Sequence, residues 1–139
     1  MKQKGPAPVC PCGSGLAYDA CCGPLHGGTA AASPEHLMRA RYSAYVLGRE
    51  DYLLATWHPS TRPPTLGLAA DSKIKWLGLE VCAHQQIDAD HGTVTFVARY
   101  RNAGRGHRLQ EHSRFQRQDG HWYYVDGDVT EARSGSART

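Results

Sequence analysis

The chain has 139 residues and a formal net charge of +3, and 40% of its residues are hydrophobic and 21% charged. This composition excludes an intrinsically disordered chain and is typical of a globular protein. No apolar run reaches the roughly 18 residues that cross a bilayer, and no apolar segment follows the basic start at residues 1–9. We therefore expect a cytoplasmic protein without membrane association, built from one ordinary domain and a small appendage.

Four of the five cysteines lie close together near the N-terminus. The pattern is Cys-x-Cys, eight further residues and Cys-Cys, and it comprises Cys10, Cys12, Cys21 and Cys22. In a cytosolic chain this clustering favours metal ligands over disulfides. Four thiolates suit a tetrahedral zinc ion, with iron as the alternative, and they leave no open position for catalysis. Because Cys21 and Cys22 are adjacent, His26 is an alternative to one of them as a ligand.

The sequence divides into three segments. We predict a metal knuckle with its linker at residues 1–32, an α+β domain at 33–130 and a polar tail at 131–139. We expect the knuckle to fold separately from the domain, because ion binding supplies most of the folding energy of so small a segment.

Two helices are predicted after the linker. Ser33 is the N-cap of the first, Pro34 takes its first position and Gly48 ends it. Its apolar face carries Met38, Tyr42, Tyr45 and Val46. A second, short helix is capped by Asp51 and ends before Pro59. A loop rich in proline and threonine follows.

Four strands complete the domain. Period-two patterns predict them at residues 74–87, 92–102, 107–117 and 121–129. The connections are a glycine-rich turn at 102–107 and an Asp-Gly hairpin at 118–121. Helices followed by an antiparallel meander predict the α+β class, as a cone of two to three helices packed on a curved sheet of about four strands.

The turns set the pairing of the strands and hence the two faces of the sheet. They place Tyr100 opposite Leu109 and Ser113 opposite Asp126. The inner face then carries Leu77, Leu79, Val81, Val94, Phe96, Tyr100, Leu109, Phe115, Trp122 and Tyr124. The same parity turns four polar residues inward, namely Glu111, Ser113, Asp126 and Asp128. Inward polar groups must be paired or line a wet cavity.

These inward polar residues point to a ligand pocket. The candidates for its lining are Tyr42, Trp57, His58, Glu111, Ser113 and Asp126. A carboxylate in an apolar cone can act as a general base. The alternative is a simple hydrogen bond between Ser113 and Asp126 across the strands. No nucleophile with a base and an orienting group is visible, which favours a non-enzymatic protein.

The outer face of the central hairpin is predicted to be basic. It carries Arg99, Arg101, Arg108 and Arg114, together with His112. Arg101 and Arg108 are predicted to lie directly opposite each other, which is unfavourable without a counter-charge. The phosphates of RNA would supply one, whereas a solvated strand face is the alternative.

Two segments resemble known families. The pattern Cys10-Pro-Cys-Gly-Ser-Gly-x-x-Tyr-x-x-Cys-Cys22 resembles the SEC-C motif, a metal-binding module at the C-terminus of the secretion ATPase SecA. The remainder resembles the bacterial YchJ-like family in Glu35-His-Leu-Met-Arg-Ala-Arg-Tyr42 and Gly120-His-Trp-Tyr-Tyr-Val-Asp-Gly127. The resemblance implies a SEC-C module followed by a nuclear transport factor 2-like cone.

Three hypotheses for the function follow. The first is a metal-binding interaction module that docks on a protein or ribosomal partner, which by the resemblance to SecA would be a SecB-like export chaperone or the ribosome. The second is a small-molecule-binding or enzymatic cone that uses Glu111, Ser113 and Asp126. The third is RNA binding through the arginine face.

Overall fold

The computed structural model describes residues 9–66 and 74–133, and for 131–133 it describes the backbone alone. The expectations for residues 1–8, for the loop at 67–73 and for the tail beyond 133 lie outside this part of the chain. Within it, three α-helices precede four strands, which confirms the α+β class. They are α1 (Cys22–His26), α2 (Pro34–Leu47), α3 (Glu50–Ala55), β1 (Ile74–Asp88), β2 (His91–Asn102), β3 (Arg105–Gln118) and β4 (His121–Arg133). None of these helices is long and apolar enough to cross a membrane.

The ends of helix α2 are those that the sequence predicts. The Ser33 hydroxyl accepts a hydrogen bond from the His36 N–H at 3.1 Å, and Gly48 adopts a left-handed conformation with φ of 74°. The predicted apolar face is wrong at Val46, which is exposed. The buried stripe is wider than expected and includes Ala40, Ser43 and Ala44, because the N-terminal knuckle covers one flank of α2 while the sheet covers another.

Helix α3 begins two residues earlier than predicted. Arg49 takes the N-cap position without a side-chain cap, and Asp51 lies inside the first turn, where it pairs with the Arg49 guanidinium. After the helix, the backbone runs along β4. The Tyr124 N–H donates to the Thr56 carbonyl at 2.8 Å, and the His58 N–H donates to the Tyr124 carbonyl at 2.7 Å. This segment covers part of an edge strand that would otherwise be open.

The sheet is an antiparallel meander in the order β1-β2-β3-β4. The predicted register of β2 against β3 is wrong by two residues, since Tyr100 lies opposite His107 rather than Leu109. The turn is the two residues Ala103 and Gly104, both at positive φ, one residue earlier in the chain than the predicted pairing requires. Side chains alternate between the two faces of a strand, so a shift by an even number of residues leaves each side chain of β2 and β3 on its predicted face.

One extra residue in β4 moves two acids to the outer face. Phe115 lies opposite Tyr124 as predicted, but the next pair is Arg114 with Asp126, so that Val125 forms a bulge. A bulge shifts the register by one residue and exchanges the two faces. The prediction that Asp126 and Asp128 point inward is therefore wrong.

A similar irregularity changes the start of β1. The register shifts between Trp76 and Gly78, and Leu77, which was predicted to point inward, is 48% exposed. Trp76 packs inward instead, with ring centroids 5.8 Å from Tyr42 and 5.3 Å from Tyr100.

The knuckle and the cone share one hydrophobic core. The four clustered cysteines belong to the same buried cluster as Leu37 and Met38 of α2 and Val94 and Phe96 of β2. The knuckle therefore has no core of its own, which argues against the expectation that it folds separately. The segment boundary at residue 32 stays a prediction.

We expect Gly127→Ala to lower the free energy of unfolding by about 1–3 kcal/mol, as overpacking does. A Cβ at this position would overlap the Glu111 carboxyl group, which two hydrogen bonds hold in place. Gly78→Ala is the matched control, because a Cβ there meets nothing within 4 Å. Urea denaturation that finds the two variants equally stable would contradict this account of β4.

Candidate functional site

The structure brings the four predicted cysteine ligands together. The sulfur atoms of Cys10, Cys12, Cys21 and Cys22 all lie within 4.8 Å of one another, and all four residues are buried free thiols. Cys12 and Cys21 sulfurs are 3.6 Å apart, and those of Cys21 and Cys22 are 3.9 Å apart. A regular tetrahedron with metal–sulfur bonds of about 2.3 Å has sulfur–sulfur edges of about 3.8 Å. The cluster therefore fits a tetrahedral ion with four thiolate ligands.

The loop between the two cysteine pairs turns through left-handed glycines. Gly13 and Gly15 have φ of 83° and 87°, a conformation that glycine adopts without strain. Ser14 lies between these two glycines. Its hydroxyl is 3.2 Å from the Cys21 sulfur, and the backbone N–H of Ser14 donates a hydrogen bond to the Cys12 sulfur. Donors aimed at the sulfurs offset the net negative charge of four thiolates around a divalent ion.

A serine of the cone completes the surroundings of the cluster. Ser43, in the second half of α2, is fully buried, and its hydroxyl donates to the Cys22 sulfur at 3.3 Å and lies 3.5 Å from the Cys10 sulfur. Sequence reasoning missed this residue. The signal available was a serine between Tyr42 and Ala44 in the interior of a helix, where an unpaired buried hydroxyl would be unfavourable.

Charged contacts also connect the knuckle to the cone. Arg39 of α2 donates to the Cys12 carbonyl at 2.9 Å, and its Nε donates to Glu35 at 3.1 Å. The other oxygen of Glu35 lies 3.1 Å from Nε2 of His84 on β1. These contacts connect the loop that carries the cysteines, here called the ligand loop, to the sheet through α2.

His26 is not available as a replacement ligand. Its Nε2 donates to the Ala40 carbonyl at 2.8 Å, so Nδ1 accepts a hydrogen bond from the Tyr18 hydroxyl at 2.6 Å. Burial lowers the pKa of His26 and keeps the ring neutral. Both ring nitrogens are occupied, and His26 serves instead to dock α1 on α2.

The close packing of the sulfurs shifts the pKa values of the cysteines in opposite directions. A hydrogen bond from Cys22 lowers the pKa of Cys12 to about 4, and the same contact raises the pKa of Cys22. Burial raises the pKa of Cys21. Cys21 and Cys22 therefore keep their protons in the absence of a cation, and binding of a metal ion would release them.

The structure separates the six residues predicted for a pocket. Tyr42 and Glu111 line a cavity of about 180 Å³ between α2 and the sheet. Ser113 is fully buried beside this cavity and donates to Glu111 at 2.8 Å. Trp57 stacks edge-on against Tyr124, with ring centroids 4.9 Å apart, and is not part of the lining.

The other two pocket candidates lie elsewhere. His58 is half-buried at the edge of the sheet, where it bonds Ser60 and Gln118. Asp126 is exposed and accepts from Arg114 at 2.6 Å on the outer face. The predicted bond between Ser113 and Asp126 is wrong, and Ser113 instead bonds Glu111, two residues away on its own strand.

A buried arginine was missed by sequence reasoning. Arg41 of α2 donates to the Leu53 carbonyl and the Thr56 hydroxyl, both at 2.8 Å, and its guanidinium lies over the rings of Trp57 and Tyr124. Burial lowers the pKa of Arg41. This cation holds α3 and the following segment against the sheet.

The arginines of the outer face fall into two groups. Arg114 pairs with Asp126 and with Asp128, and the second contact lowers the pKa of Asp128. Arg99 lies opposite Arg108, whereas the predicted pairing of Arg101 with Arg108 is wrong.

Arg101 is opposite Lys75 of β1. We call Lys75, Arg99, Arg101 and Arg108 the basic corner. Among the described residues its one ion pair is Arg99 with Glu80, at 3.8 Å.

Comparison with known proteins places the chain in a family. A family model described as YchJ, middle NTF2-like domain, matches residues 33–127, and a SEC-C motif model matches residues 9–24. A UPF0225 protein of Bordetella pertussis is 53% identical over 133 residues, which span 93% of this chain and 99% of that protein. The chain belongs to the YchJ-like UPF0225 family. A UPF0225 protein of Cupriavidus metallidurans is 57% identical, with 91% of this chain and 92% of that protein aligned.

Two solved structures resemble this YchJ-like chain. One is the solution structure of a SEC-C motif containing protein from Rhodopseudomonas palustris, with a TM-score of 0.79 and 39% identity over 87% of this chain and 98% of that chain. The other is the crystal structure of a SEC-C motif containing protein from Psychrobacter arcticus, with a TM-score of 0.72 and 31% identity over 87% of this chain and 82% of that chain. The combination of a SEC-C motif and an NTF2-like cone matches the family that the sequence resembles.

We expect Ser43→Ala to weaken metal binding by about 10- to 100-fold, as loss of an outer hydrogen bond to a ligand does. The measurement is competition with a chromogenic chelator. Ser60→Ala removes a hydroxyl from the exposed surface and is the control, which should bind as the wild type does. Equal affinity of Ser43→Ala and wild type would show that this hydroxyl serves packing alone.

Proposed function

We propose that Cys10, Cys12, Cys21 and Cys22 bind one zinc ion and that the role of the ion is structural. The observation that carries this proposal is the convergence of four buried sulfurs with tetrahedral spacing. Zinc has no preferred geometry beyond the one its ligands impose and no redox chemistry, which suits a site that keeps a fold together in the reducing cytoplasm. Iron is the alternative that the same ligands accept.

The structural role follows from where the ligands lie. The ligand loop touches α2 through Ser43 and Arg39, and a Cβ at Gly13 would contact the Leu79 carbonyl of β1. A bound ion would therefore hold both the loop and the helix that covers the sheet.

We expect native protein to contain about one equivalent of zinc per chain. Cys12→Ser should lose most of it and unfold at a lower temperature, because three thiolates and a hydroxyl hold zinc less well. Cys82→Ser is the matched control, since Cys82 is exposed and is not a member of the cluster. Elemental analysis combined with thermal unfolding measures both effects. A full equivalent in Cys12→Ser, or iron in place of zinc in native protein, would contradict the proposal.

We also propose that the protein is a non-enzymatic interaction module with a ribosomal partner. The basic corner supports this, because like charges lie directly opposite each other there in two adjacent pairs, and Glu80 beside Arg99 is the one carboxylate paired with them among the described residues. Such an arrangement is unfavourable without further counter-charge. Phosphate groups of ribosomal RNA would supply that charge, and arginine binds phosphate through two parallel hydrogen bonds. The resemblance of the knuckle to the SEC-C module of SecA supports the same class of partner.

The ribosomal proposal is tested by co-sedimentation with purified ribosomes over a range of salt concentrations. The variant Arg101→Ser/Arg108→Ser should bind more weakly and lower the slope of log affinity against log salt by about two. Arg114→Ser is the control on the same face, because the two aspartates already balance its charge.

Absence of binding, or binding that is independent of salt and of these substitutions, would contradict the proposal. The interaction module would then have a protein partner, such as a SecB-like chaperone, in place of the ribosome.

A further inference from the structure

The cone contains a small cavity that the metal centre does not use. It lies between α2 and the sheet and has a volume of about 180 Å³. Because one water molecule takes up about 30 Å³, the cavity has the volume of roughly six waters. Drug-sized molecules occupy pockets of about 300 Å³ or more, so this cavity suits a smaller ligand.

Aromatic rings form much of the wall. Tyr42 and Tyr45 of α2 both pack against Trp76 of β1, with ring centroids 5.8 Å and 5.6 Å from it. All three residues line the cavity, together with Phe96 and Leu109 from the sheet. The faces of such rings carry negative electrostatic potential, which attracts cations.

One carboxylate reaches the same cavity. Glu111 accepts hydrogen bonds from the Ser113 hydroxyl at 2.8 Å and from the Tyr124 hydroxyl at 2.7 Å, and both bonds end on Oε2. Burial and the neighbouring carboxylate raise the pKa of Tyr124, so this hydroxyl stays protonated and keeps donating. The absence of a Cβ at Gly127 gives the carboxyl group its room.

The Glu111 carboxylate forms no ion pair with any of the described residues. The cation whose field acts on it is Arg41, which is held by the Leu53 carbonyl and the Thr56 hydroxyl and does not line the cavity. Arg41 therefore balances part of the charge of Glu111 from behind Tyr124 and leaves the side towards the cavity open to another cation.

We propose that this cavity binds a small organic cation of the alkylammonium class. Three aromatic residues and one carboxylate are the groups that recognise such a cation. An inorganic divalent ion would require six or more oxygen ligands, which one carboxylate among apolar walls does not provide. An anion would be repelled by Glu111. This proposal is independent of the zinc and ribosomal proposals.

The test uses the full chain in its native form and choline as the probe, with 3,3-dimethylbutan-1-ol as an uncharged molecule of the same shape. Each is titrated while the backbone amides and the Trp76 indole are followed by nuclear magnetic resonance. We expect choline to shift the Trp76 indole signal and to bind at least about tenfold more tightly than the neutral alcohol.

Two variants separate charge recognition from general packing. Glu111→Gln keeps the acceptor for Ser113 and Tyr124 and should reduce the preference for choline to about that of the neutral molecule. Glu80→Gln removes a carboxylate from the outer face and should leave the preference unchanged. The proposal is overturned if choline fails to shift the Trp76 signal in native protein, if the alcohol binds equally well, or if a folded Glu111→Gln keeps the full preference.

Discussion

The structure depends on four sulfur atoms that must remain within 4.8 Å of one another inside a protein core. Thiols make weak hydrogen bonds and thiolates repel one another, so a bound cation is what makes such a cluster favourable. The cluster is closed by Ser43 of α2, whose buried hydroxyl finds its partners among the sulfurs. The surroundings of the cysteine cluster are thus complete only when α2 is docked, and the cluster belongs to the cone as much as to the knuckle.

The same helix connects the cysteine cluster to the cavity of the cone. Ser43 contacts the sulfurs, while the adjacent Tyr42 lines the cavity and packs on Trp76. One turn earlier, Arg39 holds the ligand loop through the Cys12 carbonyl. Helix α2 therefore presents one flank to the cysteine cluster and another to the sheet, which explains why its buried stripe is wider than that of an ordinary surface helix.

Local sequence patterns predicted most of the helices, strands and turns. The features that they missed depend on a β-bulge and on contacts between residues that are distant along the chain. The cysteine spacing, the Ser33 cap and the Asp-Gly turn each act within a few residues and led to the correct elements. The position of Asp126 depends instead on a bulge at Val125, beside which Thr56 and His58 pair with Tyr124. Nothing in the sequence of β4 alone marks that bulge. Likewise, Ser43 and Arg41 find partners that are distant along the chain, so periodicity assigned them no role.

The central claim is that the metal centre and the cone form one folding unit. Native-state hydrogen exchange, measured with and without a strong zinc chelator, tests it most directly. We predict that metal removal speeds exchange of the most protected amides in β2 and β3, which lie far from the ligand loop in sequence, because their protection reports the stability of the whole domain. Faster exchange confined to residues 10–26, with β2 and β3 unchanged, would contradict the claim and restore an independent knuckle.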